Sequence, residues 1–185
     1  KRDRKLLVYS LSHGFKHNSR LIGEEMLKLI EQKTSAFALT INNDSTQWTG
    51  AYLKQFDAIA VLNATSLHGG FKGENRKAFL DFVYDGGGLF GCHAATDGGK
   101  KWWPEYSKLW GGAFGGHPWG KTGTWRIRNY DPRHALNKCF HGEGFDINDE
   151  LYRQIHPYRK GCFRTLTCID LSARQNTHNN NGKIK

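Results

Sequence analysis

His93 closes the stretch Gly86-Gly87-Gly88-Leu89-Phe90-Gly91-Cys92-His93 and is followed by Ala94-Ala95-Thr96-Asp97-Gly98-Gly99. A Gly-rich turn that feeds a short apolar run and stops at a polar residue is the pattern of a sharp strand-to-helix elbow. Such an elbow presents its side chain just past the carboxyl end of a buried strand, where open α/β sheets gather ligands. Here the exposed position carries imidazole, which can exchange a proton near neutral pH or ligate a divalent ion. The expected acid–base residues are His93, Asp97 and Glu150. The expected metal ligands are His13, His17, His93 and His117, a nitrogen-rich set that suits zinc best among divalent ions. Asn63 and Thr65, which end the third apolar run, are expected to contact substrate. Trp102, Trp103, Trp119 and Tyr152 would offer aromatic faces to a sugar ring. No compact metal signature such as H-E-x-x-H is present.

These side chains need a scaffold that gathers strand ends on one edge. Leu6–Ser10, Ala36–Ile41, Asp57–Leu62 and Leu89–Cys92 read as strands. Between them, Ser19 is expected to cap a helix with apolar positions Leu21, Ile22, Met26, Leu29 and Ile30. A short helix near Ala51-Tyr52-Leu53 and a longer one from Glu74 to Tyr84 complete the alternation. Strands alternating with helices predict an α/β fold with a mostly parallel, doubly wound sheet. In a flavodoxin-like order the first, third and fourth strands are neighbours, with the switch point between the first and third. After Trp102 the chain is rich in Trp and Gly; Thr124–Asn129 and Leu166–Leu171 read as further strands.

The 185 residues fit one domain, and 24% charged with 13% aromatic residues argues against disorder. No apolar run approaches the roughly 18 residues of a membrane span. The net charge of +10 is scattered rather than gathered on a motif, so no specific nucleic-acid partner is expected. None of Cys92, Cys139, Cys162 and Cys168 forms a C-x-x-C pair, and Cys92 is expected to be a small core residue. The sequence starts at Lys1 rather than Met, which a removed secretory signal or a trimmed boundary explains equally; a periplasmic or secreted location is the expectation and the cytoplasm the alternative.

Ser12-His13-Gly14-Phe15-Lys16-His17, the run from Gly86 to Asp97, Gly115-Gly116-His117-Pro118 and Asp149-Glu150-Leu151-Tyr152 resemble, in that order, the ThuA-like (trehalose utilisation) family. This family belongs to the class I glutamine amidotransferase-like superfamily. The resemblance covers about residues 5–171 and implies one domain over 1–185, folded as a flavodoxin-like three-layer sandwich, with 172–185 as a polar, divergent tail. It also implies a role in sugar catabolism, with keto-glycosides or related disaccharides as substrates, and a divalent metal near the histidines. In amidotransferases the elbow reads Gly-x-Cys-x-Gly. Here His93 stands at the nucleophile position and Cys92 one residue early, an offset that turns a strand side chain to the opposite face. Glutamine amidotransfer is therefore expected to be absent.

The combined expectation is a hydrolase, lyase or isomerase acting on a sugar in a His-rich cleft, assisted by one divalent metal and by no nucleotide cofactor. Its partner would be a small sugar or glycoside, and self-association stays open. A non-catalytic carbohydrate-binding module using the Trp-lined cleft is the first alternative, and a basic polyanion-binding domain the second.

Overall fold

The computed structural model describes residues 3–98, 101–120, 122–155 and 163–177. The chain divides after Phe114 into two compact units.

In the first unit β1 (Lys5–Tyr9), β2 (Ala38–Ile41), β3 (Ala58–Leu62) and β4 (Gly88–Cys92) form a parallel sheet in the order β2-β1-β3-β4. Parallel neighbours require crossovers. They contain α1 (Ser19–Thr34), α2 (Gly50–Leu53) and α3 (Gly73–Tyr84); α4 (Pro104–Leu109) and the short β5 (Ala113–Phe114) follow β4. This is the expected flavodoxin-like α/β architecture, with the strand order reversing between β1 and β3.

The period of two along each strand decides which core a residue joins. Leu7, Tyr9, Ile59 and Val61 meet Trp48, Phe71, Phe79, Trp103 and Tyr106 in an aromatic core. Phe79 sits at its centre: its ring stacks on Trp48 at 6.2 Å and packs against Phe71, Trp103 and Tyr106. On the opposite face Val8, Ala60 and Leu62 meet Leu27 of α1.

Two expectations about burial are corrected here. Of the α1 apolar positions, Leu21, Ile22, Met26 and Leu29 are exposed; Leu27 is the buried one, and Ile30 packs partly against the sheet. The apolar arc of α1 is wider than the strip one helix can lay on a sheet, so hydrophobic spacing alone misjudges which part is covered. Likewise β4 is not a buried strand, and Cys92 is exposed rather than a core residue. β4 lies at the sheet edge, and its register pairs Phe90 with Ala60 and Cys92 with Leu62, on the α1 face. Phe90 is 51% exposed there.

In the second unit β6 (Thr124–Asn129) is the centre of an antiparallel sheet of order β7-β6-β9, with β7 at Phe145–Asn148 and β9 at Thr167–Ile169. The short β8 (Gln154–Ile155) also belongs to this unit. Two asparagine amides fasten the sheet. Asn137 Nδ2 donates to the carbonyls of Asp131 and Leu166, and Asn176 Nδ2 donates to those of Asp170 and Arg126. Both asparagines are buried, so their hydrogen bonds are made away from competing water. Cys139 and Cys168 are unbridged; Cys162 lies outside the described residues. Among the described residues no helix is long and apolar enough to cross a membrane.

Candidate active-site histidines

Three non-glycine residues with left-handed backbone lie just past the ends of β3 and β4: Asn63 (φ 47°), Ser66 (φ 53°) and His93 (φ 46°). A residue with a Cβ pays roughly 1–2 kcal/mol for that conformation. Such strain concentrates where geometry serves function. Cys92, by contrast, is extended at φ −117°. The elbow therefore falls on His93, where the chain leaves β4 for the 3-10 turn His93–Thr96.

His93 meets His17, which the β1–α1 loop supplies. The two rings are 4.8 Å apart and edge to face. Phe15 packs on the other imidazole of this group, its ring centroid 4.9 Å from that of His17. Both histidines are half-buried. One ring nitrogen of each lies within 4.8 Å of the other.

Asn63 and Thr65, expected to touch substrate, are instead buried parts of the frame. The Thr65 hydroxyl donates to the Phe15 carbonyl at 2.8 Å. The Asn63 side chain reaches both Ser19 and Ala94. Ser19 is not the helix cap: that position falls to Asn18, whose side chain makes no capping bond. The Ser19 hydroxyl accepts from Asn63 Nδ2 instead, at 2.8 Å.

His13 is drawn into a different group. Its Nε2 shares a 3.0 Å hydrogen bond with the hydroxyl of Tyr9. Burial raises the Tyr9 phenol to about 12. Burial lowers the pKa of His13 too, and the cationic forms of His68 and Lys72 push it further the same way. Gly69 and Gly70 wrap this ring closely; a Cβ on Gly70 would collide with His13 Nε2.

His68 is a residue that sequence reasoning passed over. It sits in the 3-10 turn Leu67–Gly69, with Nδ1 3.3 Å from the Gly98 carbonyl. Its ring stacks on Trp102 at 5.8 Å. The signal was present: Leu67-His68-Gly69-Gly70 lies in the loop that leaves the third strand, a Gly-flanked histidine past a strand end.

Asp97 belongs with His68 rather than with the elbow ring. Burial raises the Asp97 carboxyl above its usual range, and His68 partly opposes this. A carboxylate whose folded pKa is raised lowers stability as pH climbs from its ordinary value through the folded one. Asp97→Asn is therefore expected to unfold at a higher temperature than wild type at neutral pH. The gain should vanish below the ordinary carboxylate range, and thermal melts across pH check it.

Trp103 is corrected to a core residue. It is 1% exposed, packs between Phe71, Phe79 and Tyr106, and lies beneath the Arg76 guanidinium at 5.1 Å. Pro104 starts α4 directly after it, which turns the Trp103 side chain inward while Trp102 stays out. Trp102 is 59% exposed, with the Lys101 ammonium 4.8 Å from its ring centroid.

In the second unit, paired backbone bonds between Gly115 and Arg153, and between Arg153 and Gly116, bring two segments side by side. They set His117 Nε2 3.8 Å from Glu150 Oε2, with Tyr152 packed near the same imidazole at 6.3 Å. Trp119 directs its indole N–H to the Asn176 carbonyl at 3.1 Å, which commits its polar edge to the frame.

A family model described as trehalose utilisation, ThuA, matches residues 5–183. The chain belongs to the ThuA family. A solved structure of a ThuA-like protein from Bacteroides uniformis superposes with a TM-score of 0.78 at 23% identity, over 91% of this chain and 69% of that one. At that identity the likeness establishes the shared fold. No curated protein matches the chain. ThuA membership links the protein to carbohydrate utilisation, and the His93 elbow and the run from Ser12 to His17 are the family-like motifs whose rings meet in the first unit.

Proposed function

We propose that this ThuA protein is an enzyme of carbohydrate breakdown whose chemistry centres on His93 and His17. The observation that carries this is His93's left-handed backbone at the strand end, with its ring against that of His17. A strained position is retained where the geometry it creates is used. Cys92 points to the α1 face of the sheet and His93 occupies the elbow. This supports a reading in which imidazole, not a thiolate nucleophile, does the work.

Two half-buried imidazoles with nitrogens within 4.8 Å are a donor pair that suits zinc or a related divalent ion. His17 and His93 are the residues that would hold it. When bound, such an ion polarises a carbonyl or hydroxyl oxygen and acidifies a bound water. The protein's own part is to orient both rings through the frame around Asn63, so that an imidazole can act as general acid or base toward a bound sugar. Zinc titration of the purified protein by calorimetry tests the reading. Saturable binding of one ion, abolished in both His17→Ala and His93→Ala, is the expected result.

The exposed Trp102 favours a second reading, glycan binding without turnover. On that reading Trp102→Ala loses binding to an oligosaccharide array by roughly tenfold, the scale of a lost stacking contact, while His93→Ala keeps it. The enzymatic reading expects both variants to lose turnover of the sugar substrate.

A further inference from the structure

We propose that Asn63 is the positioning residue for the His17–His93 pair, fastening both chain segments that carry the imidazoles; this rests on the reading that the pair is the reactive centre. The Asn63 backbone N–H donates to the Cys92 carbonyl at 3.3 Å, immediately before His93. Its Oδ1 accepts from the Ala94 N–H at 3.4 Å, immediately after His93. Its Nδ2 donates to Ser19 Oγ at 2.8 Å, two residues beyond His17. Its carbonyl accepts from Ser12 Oγ at 3.2 Å, and the same hydroxyl accepts the Thr65 N–H. One residue thus clasps His93 on both sides and ties that elbow to the start of α1 and to the loop that carries His17.

The residue type follows from this geometry. Asn63 itself has a left-handed backbone, a region asparagine tolerates better than most residues. It must also supply an acceptor to one segment and a donor to the other from two separate atoms, which a side-chain amide does and an aliphatic side chain does not. At 7% exposure it is placed to act through its neighbours rather than on a bound molecule. The bonds are made inside the protein, where losing a partner strands the other polar group.

The test uses Asn63→Gly, which keeps the left-handed backbone and deletes both side-chain bonds; Asn63→Asp, which keeps only the acceptor; and Ser19→Ala, an exposed change that deletes only the bond to α1. Ring-proton NMR shifts of His17 and His93 are read in the zinc-free protein, and zinc affinity is measured separately. Asn63→Gly should move both sets of ring shifts toward those of exposed histidine and weaken zinc by about tenfold or more, the scale on which outer-shell partners act. Ser19→Ala should shift His17 more than His93, and Asn63→Asp should restore the His93 signals. A folded Asn63→Gly with both rings unmoved would overturn the proposal; if that variant does not fold, an unmoved His17 in Ser19→Ala overturns it. Wild type that takes up no zinc would sink the metal reading alone, because the ring shifts still decide the role of Asn63.

Discussion

Phe79→Ala is expected to lower the unfolding free energy by about 3–5 kcal/mol, the usual cost of emptying a large aromatic from a core. Phe79 is fully buried and touches four other rings, Trp48, Phe71, Trp103 and Tyr106. These large, stiff neighbours can close little of the space it leaves. A loss of that size consumes much of a typical domain's stability of roughly 5–15 kcal/mol. Phe90→Ala is the matched control. Its ring is half-exposed on the edge strand, and the same substitution there should cost under about 1 kcal/mol. Denaturant melts of the two variants check the contrast, and equal losses would mean that the aromatic core does not carry the first unit.

His93→Gly is expected to separate stability from function. Glycine adopts φ 46° without a Cβ penalty, which recovers about 1 kcal/mol of backbone strain, offset in part by the larger entropy of the unfolded chain. The variant should therefore melt no lower than wild type, while losing the imidazole that faces His17. His93→Ala keeps the strain and loses the ring, so it should melt below His93→Gly. Scanning calorimetry on the pair measures this. A His93→Gly variant clearly less stable than His93→Ala would show that the left-handed backbone is not strained, and both variants melting well below wild type would show that the imidazole holds the elbow together.

The sequence patterns that proved legible are those with a strong period. Leu6–Tyr9, Ala58–Leu62 and Leu89–Cys92 are short apolar runs ended by polar residues, and each became a strand of the parallel sheet within a residue or two of its expected bounds. The same periodicity could not say what lies above each face. Phe90 and Cys92 read like Ile59 and Val61, yet an edge position leaves one group exposed and a central position buries the other. β7 was missed because Phe145-Asp146-Ile147-Asn148 carries Asp and Asn, which look like turn residues until pairing with β6 gives them a strand register. The meeting of His17 with His93 followed from topology, since both lie in loops at the carboxyl ends of β1 and β4, the two strands that flank β3. Asn63 and Thr65 were misjudged because a polar residue at a strand end can face a ligand or bind the adjoining loop, and only coordinates distinguish the two. Trp102 and Trp103 diverge for a local reason, the helix start at Pro104.

The most direct test of the central claim is elemental mass spectrometry on purified wild type, His17→Ala and His93→Gly after equilibration with zinc and desalting. The account predicts close to one zinc per chain in wild type and almost none in either variant, with His93→Gly still cooperatively folded. Wild type that retains no zinc would contradict the metal reading, and variants that retain as much zinc as wild type would place the metal away from the His17–His93 pair.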